Sequence, residues 1–245
     1  MSSNPNMLRA RRRAGSWQVL IPVKDAEHAK SRLAPALGEH RARAAMAFAL
    51  DTVAAALQCA AVAEVTVATN DPSVTLAVSA LGAGVIRDGT ASGLNHAIVH
   101  ALAALPHASR TAVLLGDLPA LTSNELGHAL KAAGRHATAF VADASGDGTT
   151  LLTAVHPMQL VPRFGPASAA AHAAAGVERI AGRRISRVRR DVDELADLIE
   201  ATDLGVGRHT CEWLKSIDLS AFELQQLAPE SMTMRLIAME YTTSR

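Results

Sequence analysis

The sequence predicts a three-layer α/β/α protein built on a doubly wound, mostly parallel, mixed sheet. Three observations predict it. Short apolar runs such as Trp17–Val23 and Thr111–Leu115 alternate with longer segments of helical periodicity. The runs are continuous rather than alternating in apolar character, as in strands buried on both faces. The chain of 245 residues is 49% apolar and rich in alanine, which suits a sizeable core with helices packed closely on a sheet.

Composition also excludes. Aromatic residues are only 3% of the chain, too few for stacking a run of nucleic-acid bases. The net charge is +1, and Arg9, Arg11, Arg12 and Arg13 cluster at the start, so the remainder carries no global basic field for nucleic acid. Cys59 and Cys211 lie far apart and make no metal pattern, as in a reduced cytoplasmic protein. No apolar run reaches the roughly 18 residues of a membrane span, and no signal-peptide core follows the basic start. The expected division is a flexible basic tail over 1–15, one domain over 16–208, and an extension over 209–245 of open role, where Trp213, Met232, Met234 and Met239 change the character of the chain.

In order, Trp17–Val23 predicts the first strand. Lys24, Lys30 and Arg32 follow within nine residues, a density of cations that suits a polyanion such as a triphosphate, although the glycines of a Walker A loop are missing. Gly38–Cys59 predicts a helix, with Met46, Leu50, Val53 and Leu57 on one stripe. Glu64–Thr69 predicts a strand, and Asp71 then either caps the helix Ser73–Leu81 or faces a nucleotide. A short strand over Gly84–Arg87 leads into the turn Asp88–Asn95, D-G-T-A-S-G-L-N, and a helix over Leu94–Leu105 whose start favours phosphate or polar contacts. His96 and His100 share one face of that helix, but no third ligand accompanies them for zinc.

The run Thr111–Leu115 stops at Gly116-Asp117, and Pro119 forbids its continuation. Asp117 therefore stands at the carboxyl end of a central strand, where open α/β sheets bind ligands. Thr122 or Ser123 is better placed than Asp117 to cap the helix through Ala133. Thr138–Ala142 predicts a strand, Asp143–Thr150 a turn able to wrap an anion or close a hairpin, and Leu151–Val155 a strand running the other way. Arg163–Ser168 opens a helix through Ala175, with Pro166 in its first turn and Ser168, its N–H groups and Arg163 as an anion site. Ile185–Arg190 predicts the last strand, followed by Asp191-Val192-Asp193 and a helix over Glu194–Thr202; capping that helix is the plain alternative for Asp193, but it does not explain Asp191 as well.

The carboxyl ends of these strands gather Lys24, Lys30, Arg32, Asp117, Asp191 and Asp193. Cations of this kind hold a nucleoside triphosphate, and carboxylates hold Mg²⁺, a hard ion that prefers oxygen. Together they suit phosphoryl or nucleotidyl transfer.

On these residues the chain resembles the CofC/FbiD family, guanylyltransferases of deazaflavin coenzyme (F-420) biosynthesis. The resemblance covers about residues 17–208. It is carried by V-L-I-P-V-K with A-K-S-R-L-A-P, G-L-N-H-A-I, G-D-L-P-A-L, V-A-D-A-S-G-D-G-T-T, P-R-F-G-P-A-S-A-A-A-H, and R-D-V-D followed by L-G-V-G. It implies a nucleotide-diphospho-sugar-transferase fold, GT-A-like and Rossmann-like. It implies transfer of GMP from GTP to phosphoenolpyruvate, with 2-phospho-L-lactate or 3-phospho-D-glycerate as other acceptors of the family. It implies Asp117, Asp191 and Asp193 as Mg²⁺ carboxylates. It implies Thr150, Gly165 and Ser168, with Arg163 beside them, as the pocket for the phosphorylated acid. It implies Pro22, Val23, Lys24, Lys30, Arg32, Asp71, Gly93 and Asn95 on the nucleotide side, with Lys24, Lys30 and Arg32 acting with Asp117 in catalysis. A molybdopterin nucleotidyltransferase resembles a different, glycine-rich first loop, and a non-catalytic GTP-binding module would not need all three carboxylates. Expected partners are GTP and a small phosphorylated three-carbon acid, with no nucleic acid and no membrane. A homodimer through the tail and a downstream transferase for the unstable product stay open.

Overall fold

The computed structural model describes residues 16–24, 33, 37–87, 89, 93–105 and 110–217. Lys30 and Arg32, the basic tail over 1–15 and the segment 218–245 lie outside the described residues. Among the described residues, seven strands form one sheet: β1 (Trp17–Pro22), β2 (Val62–Ala68), β3 (Gly84–Ile86), β4 (Arg110–Leu114), β5 (Thr138–Ala142), β6 (Thr149–Ala154) and β7 (Glu178–Arg179), in the order β3-β2-β1-β4-β6-β5-β7. All pairings are parallel except those of β6, which runs antiparallel to both β4 and β5. The mixed, mostly parallel sheet is the one the sequence predicts, with β6 as the reversed strand.

The helices are α1 (Arg41–Leu57), α2 (Pro72–Leu81), α3 (Leu94–Ala104), α4 (Ser123–Ala133), α5 (Ser168–Ala174), α6 (Leu195–Leu204) and α7 (Arg208–Ser216). Local chemistry sets their ends. Asp71 accepts from Ser73 N and Val74 N to open α2, and Gly82 closes it in the left-handed region at φ 97°. Thr122 accepts from Glu125 N to open α4. Glu194 and Asp197 form a reciprocal capping box at α6, so the cap is Glu194 rather than Asp193.

β1 is buried along its whole length, and its side chains divide between two cores. Trp17, Val19 and Ile21 join Val53 of α1 and Leu126 and Leu130 of α4, while Leu20 joins Ile98 of α3, Phe140 and Phe164 on the opposite face. A third cluster packs Phe48 of α1 against Val192, Leu198 of α6 and Trp213 and Leu214 of α7. The Phe48 and Trp213 rings meet edge to face, 5.9 Å between centroids. The buried Asp51 of α1 accepts from His209 N (2.9 Å) and Thr210 N (2.8 Å), which caps α7 from a neighbouring helix. The packed unit therefore does not stop at residue 208: α7 belongs to it, through Ile217.

Two elements differ from the sequence reading. Residues 185–190 form 3₁₀ turns, Arg183–Ile185 and Arg187–Arg189, and no strand. Ile185 and Val188, three apart, both point inward, as a 3₁₀ turn allows. Arginine side chains hold the segment in place of a strand ladder: Arg187 reaches Ala120 O and Gly205 O, and Arg189 reaches Ala142 O, Asp143 O and Ala144 O. β7 was not expected, since Glu178 and Arg179 are exposed and polar and carry no strand pattern.

Replacing Trp213 with alanine is expected to cost about 3–5 kcal/mol of unfolding free energy, measured by urea titration of the full chain. A loss under about 1 kcal/mol would mean that α7 is not part of the cooperative core.

Candidate active site

The strand order reverses between β1 and β4, whose carboxyl ends are Pro22-Val23-Lys24 and Leu115-Gly116-Asp117. This is the switch point at which open sheets bind ligands. The two ends approach closely: a Cβ on Gly116 would lie 3.1 Å from Val23 Cγ2 and 3.4 Å from Pro22 O. β6 runs backwards, so its first residues arrive at the same edge, and Leu115 N donates to Thr150 O.

Three neighbouring segments fix the Gly116–Pro119 turn. Leu118 N donates to Thr52 Oγ1 of α1 (3.1 Å), and that hydroxyl donates to Phe48 O (2.8 Å). Val192 N donates to Asp117 O (3.1 Å), and Gly207 N donates to Pro119 O (2.8 Å). Val192 is fully buried, while Asp191 and Asp193 on either side of it are only partly so. Val192 thus anchors the segment while the residues on either side of it line the cleft. Asp117, Asp191 and Asp193 line one cleft of about 730 Å³. Among the described residues, no three His, Cys, Asp or Glu side chains stand ready in metal-binding geometry.

The facing wall comes from residues 143–149 and 164–168. Asp143 Oδ1 accepts from Gly146 N (2.6 Å), Asp147 N (3.0 Å) and the Ser145 hydroxyl (2.8 Å), and its Oδ2 accepts from Gly148 N (2.9 Å). This carboxylate organises the D-A-S-G-D-G loop from within. Asp147 then ties that loop to the next one, accepting from Ala167 N and Ala169 N. Gly165 at φ 132° and Ala167 at φ 54° make the tight entry to α5. Ser168 N donates to Gly165 O, so the amides at 167–169 expected to receive an anion are engaged within the protein.

His172 of α5 is fully buried beneath this wall, between Phe140 and Phe164. Its Nε2 accepts from Arg163 N (3.1 Å), and its Nδ1 lies 3.0 Å from the Thr149 hydroxyl. Nε2 must be unprotonated to accept, so the neutral ring carries its proton on Nδ1 and donates to Thr149. Burial pushes the imidazole down to about 4, and the nearby Arg163 charge adds to this.

The remaining predicted residues fall as follows. Gly165 and Ser168 line the cleft. Thr150 does not: it is fully buried, with its hydroxyl 3.4 Å from Val141 O, and Thr149 is the threonine on the wall. The Arg163 residue is exposed and does not line the cleft, and its backbone bonds His172. Asn95 donates to Phe164 O (2.9 Å) and accepts from Phe164 N (2.8 Å), which clamps the Gly93 turn to the P-R-F-G-P segment. Asp71 serves α2 as its cap and lines a different cleft. Lys24 is exposed just past β1. Sequence reasoning missed His172, Asp143 and Arg190. Eight residues lining the cleft carry carboxylates and one, Arg190, a guanidinium. Such an excess of negative charge holds phosphates only together with cations.

A carboxylate-lined cleft at the switch point of this sheet fits the class of nucleotidyltransferases. The sequence matches the family described as "Guanylyl transferase CofC like" over residues 17–232. The phosphoenolpyruvate guanylyltransferase of Thermomonospora curvata is 48% identical over 199 residues, covering 80% of this chain and 87% of that protein. The enzyme of the same name from Streptomyces coelicolor is 45% identical over 198 residues, covering 79% and 93%. The chain belongs to the CofC-like guanylyl transferase family. Its fold is shared by a protein of Desulfovibrio desulfuricans assigned as a nucleotide-diphospho-sugar transferase, with TM-score 0.59, 16% identity and coverage of 92% and 95%. A cytidylyltransferase of Leptospira borgpetersenii is also similar in fold, with TM-score 0.53, 12% identity and coverage of 89% and 97%. The family match continues past residue 208, as does the packed unit.

His172 gives the fold a pH dependence of defined sign. Its pKa falls from 6.5 to about 4 on folding, so the unfolded chain binds the proton more tightly. The contribution is complete above pH 6.5 and declines as the pH falls toward 4, by up to about 1.4 kcal/mol per pH unit. Urea unfolding of wild type and His172→Gln between these pH values is expected to show a shallower pH slope in the variant.

Proposed function

We propose that the protein transfers GMP from GTP to the phosphate of phosphoenolpyruvate, giving enolpyruvyl-diphospho-guanosine and pyrophosphate, in deazaflavin coenzyme (F-420) biosynthesis. The observation that carries this reading is the meeting of Asp117, Asp191 and Asp193 in one cleft opposite Gly165 and Ser168. The relatives from T. curvata and S. coelicolor, both named phosphoenolpyruvate guanylyltransferases, favour this acceptor over 2-phospho-L-lactate and 3-phospho-D-glycerate.

An oxygen of the acceptor phosphate forms a bond to the α-phosphorus of GTP, and the bond from that phosphorus to the bridging oxygen of the β-phosphate breaks. A phosphate monoester is already an anion near neutral pH, so the attack needs no general base. Asp117, Asp191 and Asp193 are the residues that would hold Mg²⁺, and three carboxylates on one cleft fit a hard, oxygen-seeking ion. Bound there, Mg²⁺ supplies positive charge between two anions that otherwise repel. Lys24, at the carboxyl end of β1, takes the triphosphate side with Lys30 and Arg32, and these cations stabilise the departing pyrophosphate. The Asp143 loop and the Asn95–Phe164 clamp hold the acceptor wall rigid, which keeps the attacking oxygen in line.

No helix among the described residues is long and apolar enough to cross a membrane. We place the reaction in the cytoplasm, where GTP is available, and expect a second transferase to consume the unstable enol product. A homodimer remains part of this reading through the segment after α7.

Pyrophosphate release should appear with GTP, Mg²⁺ and phosphoenolpyruvate, and not with ATP or CTP. Asp117→Asn should lower turnover by roughly a hundredfold or more without loss of the folded state. Near-full turnover of that variant at saturating Mg²⁺ would remove Asp117 from the site. GTP binding with no pyrophosphate release from any of the three acceptors would favour a regulatory module.

A further inference from the structure

Thr52 of α1 is fully buried and does not line the active cleft, yet its hydroxyl touches the turn that carries Asp117. That hydroxyl donates to Phe48 O (2.8 Å), one turn back on its own helix. Backward bonds of this kind are ordinary for a threonine within a helix. Thr202 of α6 is also fully buried and makes the same bond, 2.6 Å to Leu198 O. What separates Thr52 is a second bond, which its oxygen accepts from Leu118 N at 3.1 Å, across 66 residues of sequence. The first bond aims the second: with the proton committed to Phe48 O, the lone pairs are left for the amide.

The peptide unit between Asp117 and Leu118 is planar, and both of its polar ends are held. Thr52 takes its N–H, and its oxygen accepts from Val192 N (3.1 Å). A planar unit fixed at both ends cannot turn, so the Asp117 Cα at its corner keeps its place. Val192 stands between Asp191 and Asp193, so the same plane ties Asp117 to the other two carboxylates of the cleft. Asp51, next to Thr52, serves the far side of the turn. It accepts from His209 N and Thr210 N, and Gly207 just before α7 donates to Pro119 O (2.8 Å).

We propose that Thr52 is a positioning residue for the transfer. It holds the peptide after Asp117 and, through it, sets the Asp117 carboxylate against Asp191 and Asp193. This rests on the guanylyltransferase reading above and extends it to a helix residue that touches no substrate. A small misplacement of a group at the reacting atoms is costly in rate, whereas substrate binding draws on the whole cleft. The role of Thr52 therefore falls on kcat and on metal affinity rather than on KM.

The test compares wild type, Thr52→Val, Thr52→Ser and Thr202→Val as full chains. Thr52→Val keeps the shape and loses both bonds, and should lower kcat by roughly ten- to a hundredfold. The KM values for GTP and phosphoenolpyruvate should stay within about twofold of wild type. Mn²⁺ alone, titrated by electron paramagnetic resonance as a probe of the carboxylates, should bind Thr52→Val about tenfold more weakly. Thr52→Ser keeps the oxygen and should stay within about threefold of wild type in kcat and Mn²⁺ affinity. Thr202→Val should lose stability to urea but keep both. In the Asp117→Asn background, adding Thr52→Val should cost nothing further, because the two residues act as a unit. A full additional loss there, or a fall of kcat in Thr202→Val equal to that in Thr52→Val, overturns the proposal, since Thr52 would then only stabilise the fold. So does an unchanged kcat in Thr52→Val, or Mn²⁺ binding that is equal in wild type and Thr52→Val or absent from both. If Thr52→Val does not fold, Thr52→Cys takes its place, with the shape of serine but a weak acceptor. Values for Thr52→Cys equal to those of Thr52→Ser would then overturn it. Mn²⁺ binding that Thr52→Val weakens, with no pyrophosphate from wild type, would sink the transfer reaction and keep the positioning role.

Discussion

The Gly116–Pro119 turn is the constraint on which the rest of the site depends. It leaves a buried strand and must bury its own amides and carbonyls, which is costly without partners. Each partner comes from a different part of the chain: Thr52 of α1, Val192 of the D-V-D segment, and Gly207 before α7. The same bonds that satisfy the turn bring the second and third carboxylates to the first. Asp117 is thus placed by its backbone, and the docking of α6 and α7 follows from the same convergence.

The two walls of the cleft are held in place by different means. One concentrates carboxylates on irregular segments and anchors them by burying the residue between them, as Val192 does between Asp191 and Asp193. The other is held by hydrogen bonds within its own loops and to the helix beneath. Neutral His172 lies beneath the wall, bonded to Thr149 and to the Arg163 amide, and the Asp143 charge is spent on amides of its own loop. Fixed dipoles and fixed charges of this kind need no rearrangement as charge moves in a reaction, and an acceptor between two anchored walls has little freedom to lose.

Much of this was legible in the chain. Thr111–Leu115 ending at Gly116-Asp117 marked the site, because an apolar run cut short by glycine and proline must end at a sheet edge. Thr138–Ala142 was placed to the residue, and the reversal of β6 followed from the small turn before it. The 185–190 segment was misread, because its apolar spacing suits a short strand while its arginines find carbonyl partners that only the folded chain supplies. His172 gave no local signal within an alanine-rich helix, and neither Asp51 nor Thr52 differs in sequence from a polar residue on a helix surface. The change of composition after residue 208 suggested an appendage, yet Trp213 fills a core position against Phe48.

By itself the sequence determined the class of fold, the order of the first six strands and the kind of chemistry at their ends. Those properties rest on periodicity, turn residues and the charge of neighbouring side chains, all of which act over a few residues. Only the tertiary structure decided which carboxylates share a cleft, that Thr149 and not Thr150 faces it, that Asn95 grips the Phe164 backbone, and that His172 stays neutral. Those outcomes depend on which strand lies beside which, and on burial and hydrogen bonds between residues far apart in the chain. A one-residue change of register along β6 would exchange the two threonines, and no local preference distinguishes the alternatives.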